Sequence, residues 1–260
     1  MTDKKESKLD LSSSNLKLSN EVKIKPDEGL KGFAKTLVLA IFLAISIRSI
    51  LFEPFHIPSG SMKPGLLVGD YIFVSKMSYG YSKHSFPFSS FDLFDGRIFG
   101  SEPKRGDVAV FRYPKDTKVN YIKRIVGLPG DVIKVSSGHL YINNEIISKK
   151  FIANFSDSDG SKVPMFGEII DEKRYLVLDQ YKTPQDDTAD YIVPKGYYFA
   201  MGDNRDNSQD SRFQDEVGFI PRDNLVGRAE VIFFSTEDSF WKFWKWGNSI
   251  RFSRIFQRIH

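Results

Sequence analysis

Hydrophobic and polar positions divide the chain into three stretches. Residues 1–32 are polar, rich in Lys and Ser and poor in aromatics, the composition of a disordered tail. An apolar run follows. Thr36 to Ile47 carries no charge, and the run reaches back to Phe33 and on through Ile50, Leu51 and Phe52. That makes about 20 residues, or roughly 30 Å of helix. The uncharged core alone would suit a buried helix or the core of a cleaved leader. The full run, with Lys35 and Arg48 near its ends where long cationic side chains can reach lipid headgroups, predicts a membrane-spanning helix over 33–52. A cleaved leader fits less well, because a long polar region precedes the run and no small-x-small site follows it.

After residue 53 the pattern changes to short β-rich runs bounded by Gly, Pro, Asn and Asp. They are Tyr71–Val74, Val108–Phe111, Tyr121–Val126, Val132–Val135, His139–Ile142, Arg174–Leu178, Tyr197–Met201 and Ala229–Phe234. Asn143-Asn144 after Leu140-Tyr141-Ile142 predicts a hairpin turn. No long stretch beyond residue 53 has helical periodicity. The expected fold is therefore mainly β, an N-terminal transmembrane helix followed by an antiparallel β-sheet domain, sandwich-like or an open barrel. The span 131–195 is polar in its middle, at Ser156–Ser161 and Pro184–Thr188, and separates two motif-bearing regions.

Composition narrows the function. At 260 residues the chain can bury an adequate core, and 41% hydrophobic with 27% charged residues is ordinary for a folded protein. A net charge of +4, with no basic cluster interleaved with stacking aromatics, gives no nucleic-acid module. The absence of cysteine excludes disulfides, thiolate catalysis and cysteine-ligated zinc. Lys4, Lys5, Lys8, Lys17, Lys23, Lys25 and Lys31 predict a cytoplasmic N-terminus, which puts everything after Phe52 outside the cytoplasm. Two aromatic segments suit a bilayer interface: the Phe-rich loop 85–94, and Phe240–Trp246 with Arg251, Arg254 and Arg258 behind it. Both could equally be core aromatics beside a solvated basic end.

Candidate chemistry centres on Ser59-Gly60-Ser61-Met62 and Tyr121-Ile122-Lys123-Arg124. A serine hydroxyl needs a base to take its proton. None of His56, His84, His139 and His260 sits in a familiar catalytic context, and no G-x-S-x-G elbow surrounds either serine. A Ser-Lys dyad remains. Ser61 lies between Pro58 and Pro64, which suits a tight, exposed presentation, although a lone serine there would be a plain turn residue. On a strand, Tyr121, Lys123 and Ile125 share one face, so Lys123 would sit among apolar neighbours that favour its neutral form. Arg124 would face the other way as an ion-pair residue. The acidic segment Gly202–Arg212 resembles a calcium loop only loosely. Counted from Asp206, its sixth position is Ser211 rather than Gly and its twelfth is Val217 rather than Glu, so no metal is called for.

Four blocks in order, Glu53–Val74, Arg105–Phe111, Tyr121–Asp131 and Gly202–Arg212, closely resemble those of bacterial type I signal peptidases (leader peptidases), a Ser-Lys dyad family of serine endopeptidases. The resemblance runs from about Phe52 to about Arg228 and is thin in the middle. It implies a catalytic β domain at 53–130 and 196–260, with 131–195 as a smaller inserted β subdomain. It implies Ser61 as nucleophile and Lys123 as general base. Ser59 Oγ and the Ser61 N–H would be the oxyanion donors. Ser208 would hydrogen-bond the Lys123 amine, while Asp203, Asp210, Arg212 and Arg124 would buttress the site with ion pairs. Matched positions put Ile57, Met62, Leu66 and Tyr121 around a −1 pocket, and Phe55, Ile57, Ile72, Val110 and Ile122 around a −3 pocket; as bare sequence all of these are equally good core residues. The implied substrates are signal peptides of exported preproteins, cut after a small-x-small motif, with no cofactor. The implied place is the bacterial cytoplasmic (inner) membrane, single-pass, with the catalytic domain on its outer side. Two alternatives remain. A self-cleaving Ser-Lys repressor would carry a DNA-binding domain that residues 1–32 lack. A non-catalytic membrane-tethered β domain would be expected to have lost one of Ser61, Lys123 or Ser208.

Overall fold

The computed structural model describes residues 26–82, 96–238 and 249–260. Among these residues, helix α1 spans Pro26–Ile50 and fourteen strands follow. They are β1 (Phe52–His56), β2 (Asp70–Ser75), β3 (Val108–Tyr113), β4 (Asp116–Gly127), β5 (Val132–Ser136), β6 (His139–Ile142), β7 (Glu145–Ile146), β8 (Lys149–Ser156), β9 (Lys162–Ile170), β10 (Lys173–Leu178), β11 (Tyr191–Ile192), β12 (Tyr197–Met201), β13 (Ile220–Pro221) and β14 (Leu225–Ser235). The chain divides into two units, residues 1–43 and 44–260.

The helix differs from its expected bounds. It begins at Pro26, inside the stretch expected to be disordered, with proline at the first helical position where its missing N–H costs nothing. It stops at Ile50, because Phe52 already pairs with Ser75 in the sheet. Among the described residues no helix is long and apolar enough to cross a membrane. The described large apolar side chains of α1, from Phe33 to Ile45, are nevertheless all 48–67% exposed. Residues 1–25, the Phe-rich loop 85–94 and the aromatic segment 240–246 lie outside the described residues.

Among the described residues every strand pairs antiparallel with its neighbours, in three sheets, and one isolated bridge, Leu178 to Asn204, is parallel. Seven strands run in the order β1-β2-β14-β3-β4-β12-β13, so the last long strand, β14, inserts between β2 and β3. The strands of 132–192 make the other two sheets, β10-β9-β8 and β11-β5-β6-β7. Each run predicted from β-rich composition lies within a strand. The β5-β6 pair feeds the expected turn into β7, with Asn143 and Asn144 at φ 52° and 66°, the paired left-handed residues of a tight hairpin. The polar pattern hid β8 and β9: nearly every residue of β8 is exposed, so no alternation marks it.

Three apolar clusters hold the body together. One joins Ile133, Val135, Leu140 and Val177 of the smaller sheets to Val126 of β4 and to Phe199 and Met201 of β12. A second packs Ile72, Val74, Val110 and Ile232 against Ile57, Met62 and Leu66 of the β1–β2 loop. The third, with Phe111, Ile125, Tyr198 and Ile220, covers the opposite face of the large sheet. Both faces of the central strands are thus buried. This explains how a lysine on β4 can end up almost without solvent.

Candidate active site

The loop from Ile57 to Asp70 carries both serines. Its neck is closed by Ile57 N–H donating to Asp70 O (2.8 Å) and Gly69 N–H donating to Ile57 O (3.0 Å). Gly69 sits at φ +88°, and a Cβ there would lie 1.9 Å from the Thr236 carbonyl oxygen, so only glycine fits this close approach. Two further clamps fix the loop. From one side, Asn204 N–H donates to Ser61 O (3.0 Å) and Asn204 Nδ2 donates to Gly60 O (3.1 Å). From another, Arg254 pairs with Asp70 (Nη2–Oδ2 2.6 Å, Nε–Oδ1 3.1 Å) and donates to Gly65 O (2.8 Å). Asp70 is fully buried and also accepts from Leu67 N–H and Ser235 Oγ.

Strand β4 brings the lysine. Lys123 lies opposite Ala109 of β3, and its Nζ is 2.7 Å from Ser61 Oγ, to which it donates. Lys123 is 5% exposed and Ser61 8%. Burial pulls the Lys123 pKa down to about 8; Asp210 and Asp203 oppose the shift and Arg212 adds to it. The Ser59 and Ser61 hydroxyl oxygens are 3.5 Å apart. Tyr121 shares the lysine's face. Its ring centroid is 5.4 Å from Lys123 Nζ, it stacks on Tyr113, and its hydroxyl donates to Gln209 Oε1 (3.0 Å).

The carboxylates near the lysine are committed elsewhere. Asp203 takes a two-pronged bond from Arg124 (Nε–Oδ1 2.8 Å, Nη2–Oδ2 2.7 Å). Asp210 takes another from Arg212 (both 2.9 Å) and also accepts from Gly202 N–H. Burial alone would raise the Asp210 pKa, but Arg212 and the Gly202 amide hold it below the usual carboxylate range. Asp210 therefore stays ionised, and each carboxylate is bonded by an arginine rather than by Lys123. The sequence reading missed a further layer. Glu168 of β9, fully buried, is held by Arg205 and by the Tyr175 hydroxyl (2.7 Å), and Arg124 lies over the Tyr175 ring at 4.2 Å. Arg205 and Asn204 stood in the acidic segment, but nothing in a one-dimensional pattern pairs them with Glu168 or with Gly60.

Two expectations change. The hydrogen bond from Ser208 to Lys123 is not made: Ser208 Oγ is buried without a partner, while Lys123 Nζ is engaged by Ser61. Ser208 instead presses on the backbone at Gly202, where a Cβ would come within 2.1 Å of Ser208 Oγ and 2.6 Å of Ser61 O. Of the expected substrate-contacting residues, Ile57, Met62, Leu66, Ile72 and Val110 are each no more than 2% exposed. They belong to the core beneath the site, because β2, β3 and the loop after β1 turn these side chains toward one cluster. Phe55, Tyr121 and Ile122 are half-buried and keep surface for a ligand.

Asp179, Asp186 and Asp206 bring oxygens within 4.8 Å of one another. Lys149 bonds Asp179, and backbone amides bond the other two.

The model of the family "Signal peptidase, peptidase S26" matches residues 30–234. A signal peptidase I of Rickettsia typhi is 39% identical over 93% of this chain and 98% of its own length. One from Rickettsia massiliae is 40% identical over 86% and 91%. A crystal structure of a signal peptidase I from Enterococcus faecalis is 25% identical and covers 49% of this chain and 97% of its own, with a TM-score of 0.32, too loose a superposition to bear on the fold.

Proposed function

The chain belongs to the peptidase S26 family of signal peptidases, serine peptidases, and on that premise we propose that it cuts signal peptides from exported preproteins with Ser61 as nucleophile and Lys123 as base. The observation that carries this reading is the buried contact of 2.7 Å between Lys123 Nζ and Ser61 Oγ.

The neutral fraction of Lys123 takes the Ser61 proton as Oγ attacks the carbonyl carbon of the residue at −1. A pKa of about 8 leaves roughly a tenth of the lysine neutral at pH 7 and matches the base to its task. The oxyanion forms beside the Ser61 N–H and Ser59 Oγ, where a donor is typically worth 10²–10³ in rate, as an order of magnitude. Lys123 then gives its proton to the leaving amine, which departs with the mature chain. A water, deprotonated by Lys123, hydrolyses the acyl-enzyme. Asp203–Arg124, Asp210–Arg212 and Glu168–Arg205 keep the framework rigid without quenching the base.

The substrate lies extended along β1 and β4, over Phe55, Tyr121 and Ile122, with the core residues beneath forming the floor of shallow pockets for small side chains. The exposed large apolar side chains of α1 between Phe33 and Ile45 support an anchor, since such a surface finds its medium in lipid. With the lysine-rich residues before it on the cytoplasmic side, the catalytic unit stands on the outer face of the membrane. Incubation of a purified preprotein with wild type, Ser61→Ala and Lys123→Ala, each shown folded, tests the reading. Product from wild type alone, ending after a small-x-small sequence, is expected; cleavage by either variant at the wild-type rate contradicts it.

A further inference from the structure

Away from the dyad, a groove of about 930 Å³ opens in the catalytic unit, with neither Ser61 nor Lys123 in its lining. It combines two kinds of surface. Phe52 and Phe256, 42% and 79% exposed, give it an apolar rim. Lys173, Arg174, Arg228 and Arg258 give it four cations against two acids, Asp107 and Glu230. The acids are already satisfied: Lys173 bonds Asp107 at 2.8 Å, and Arg228 bonds Glu230 at 2.9 Å and lies 3.9 Å from Asp107. Among the described residues the guanidinium groups of Arg174 and Arg258 have no hydrogen bond and no ion pair, yet both line this groove and the adjoining cavity of about 180 Å³. A groove with two uncommitted arginines beside exposed phenylalanines is complementary to one chemistry, an anionic phosphate attached to an apolar body.

Chain connectivity says where that body comes from. Phe52 lies two residues beyond the end of α1, so no more than about 7 Å of chain separates the groove's rim from the last turn of the helix. We propose that this groove binds the headgroup of an anionic phospholipid, with Arg174 and Arg258 on the phosphate and Phe52 and Phe256 at the acyl boundary. The proposal rests on the anchored reading of α1 given above. The bound lipid would give the catalytic unit its own point of contact with the bilayer.

Native mass spectrometry of the full chain in a neutral detergent tests it, with phosphatidylglycerol or phosphatidylcholine added. Wild type should retain phosphatidylglycerol at least tenfold more tightly, and Arg174→Glu with Arg258→Glu should bring the two lipids together. Lys134→Glu with Lys182→Glu, on surface elsewhere, should leave the preference intact. Equal binding of phosphatidylglycerol by wild type and the arginine variant overturns the proposal. So does displacement of the lipid by inorganic phosphate at equal concentration, or binding of an acidic hexapeptide as tight as that of the lipid. Flotation with pure phosphatidylcholine vesicles is scored separately. Loss of flotation by both proteins removes the anchored reading, whereas flotation of both with no headgroup preference removes only the groove.

Discussion

Lys123 is costly to the fold it serves. Lowering its pKa from 10.5 to about 8 by burial corresponds to about 3 kcal/mol of stability given up at neutral pH. Because the folded pKa is depressed, the penalty is complete below pH 8 and fades as pH rises toward 10.5, where the unfolded chain also loses its proton. Lys123→Met should therefore abolish cleavage yet raise the unfolding midpoint at pH 7, with a gain that disappears near pH 10.5; a variant less stable than wild type at pH 7 contradicts this account. Asn204 acts at the same scale by holding the nucleophile's carbonyl and the one before it. Asn204→Ala should lower kcat about tenfold with KM and unfolding nearly unchanged, since its backbone clamp remains and only the loop's precision is lost. Single-turnover kinetics with saturating enzyme would read this directly. The sequence exposed Ser61 and Lys123 because their chemistry is scarce and their neighbours are motif-like. Asn204, Glu168 and Tyr175 stayed hidden because their roles lie in contacts over long separations, and polar residues in loops are common for other reasons.

Among the elements, the segment 249–260 does more than end the chain. Arg254 neutralises the fully buried Asp70, and Ile259 packs on the cluster beneath Met62. Arg124 meanwhile donates to His260 O at 2.8 Å and so ties this segment to the Asp203 pair behind the lysine. Removing one partner of a buried pair leaves the other charge stranded, so Arg254→Met should cost about 3 kcal/mol by chemical denaturation. Arg254→Lys should recover part of that but not the bond to Gly65, for want of the planar fork. A loss under 0.5 kcal/mol would show that Arg251, 3.5 Å from Asp70, is the true partner. The central strands were legible because burial on both faces leaves runs such as Val108–Phe111 unmistakable. β8 was not, since an edge strand exposed on both faces has no hydrophobic phase to detect. The expected Ser208–Lys123 bond came from family resemblance alone, and the packing of Ser208 on Gly202 could not be read from either residue's identity.

At the scale of the whole molecule, the order β1-β2-β14-β3-β4-β12-β13 is what creates the site. It sets the loop after β1 beside β4, and it returns the chain through β12 so that the segment after Met201 reaches Ser61 from the far side. Strand composition specifies which pieces are strands but not which are neighbours, so this order was not legible. The apolar run marked a helix ahead of the strands, but its bounds, Pro26–Ile50, differ from the 33–52 it suggested. The described large apolar side chains of the helix are exposed, and no helix among the described residues is long and apolar enough to cross a membrane.

The most direct test of the central claim is the pH dependence of kcat/KM for cleavage of a purified preprotein in detergent, from pH 6 to 10. With neutral Lys123 as the base, the rate should rise nearly tenfold per pH unit below a midpoint at about 8 and level off above it. A rate independent of pH from 6 to 9, with the enzyme folded throughout, would mean that Lys123 does not take the Ser61 proton.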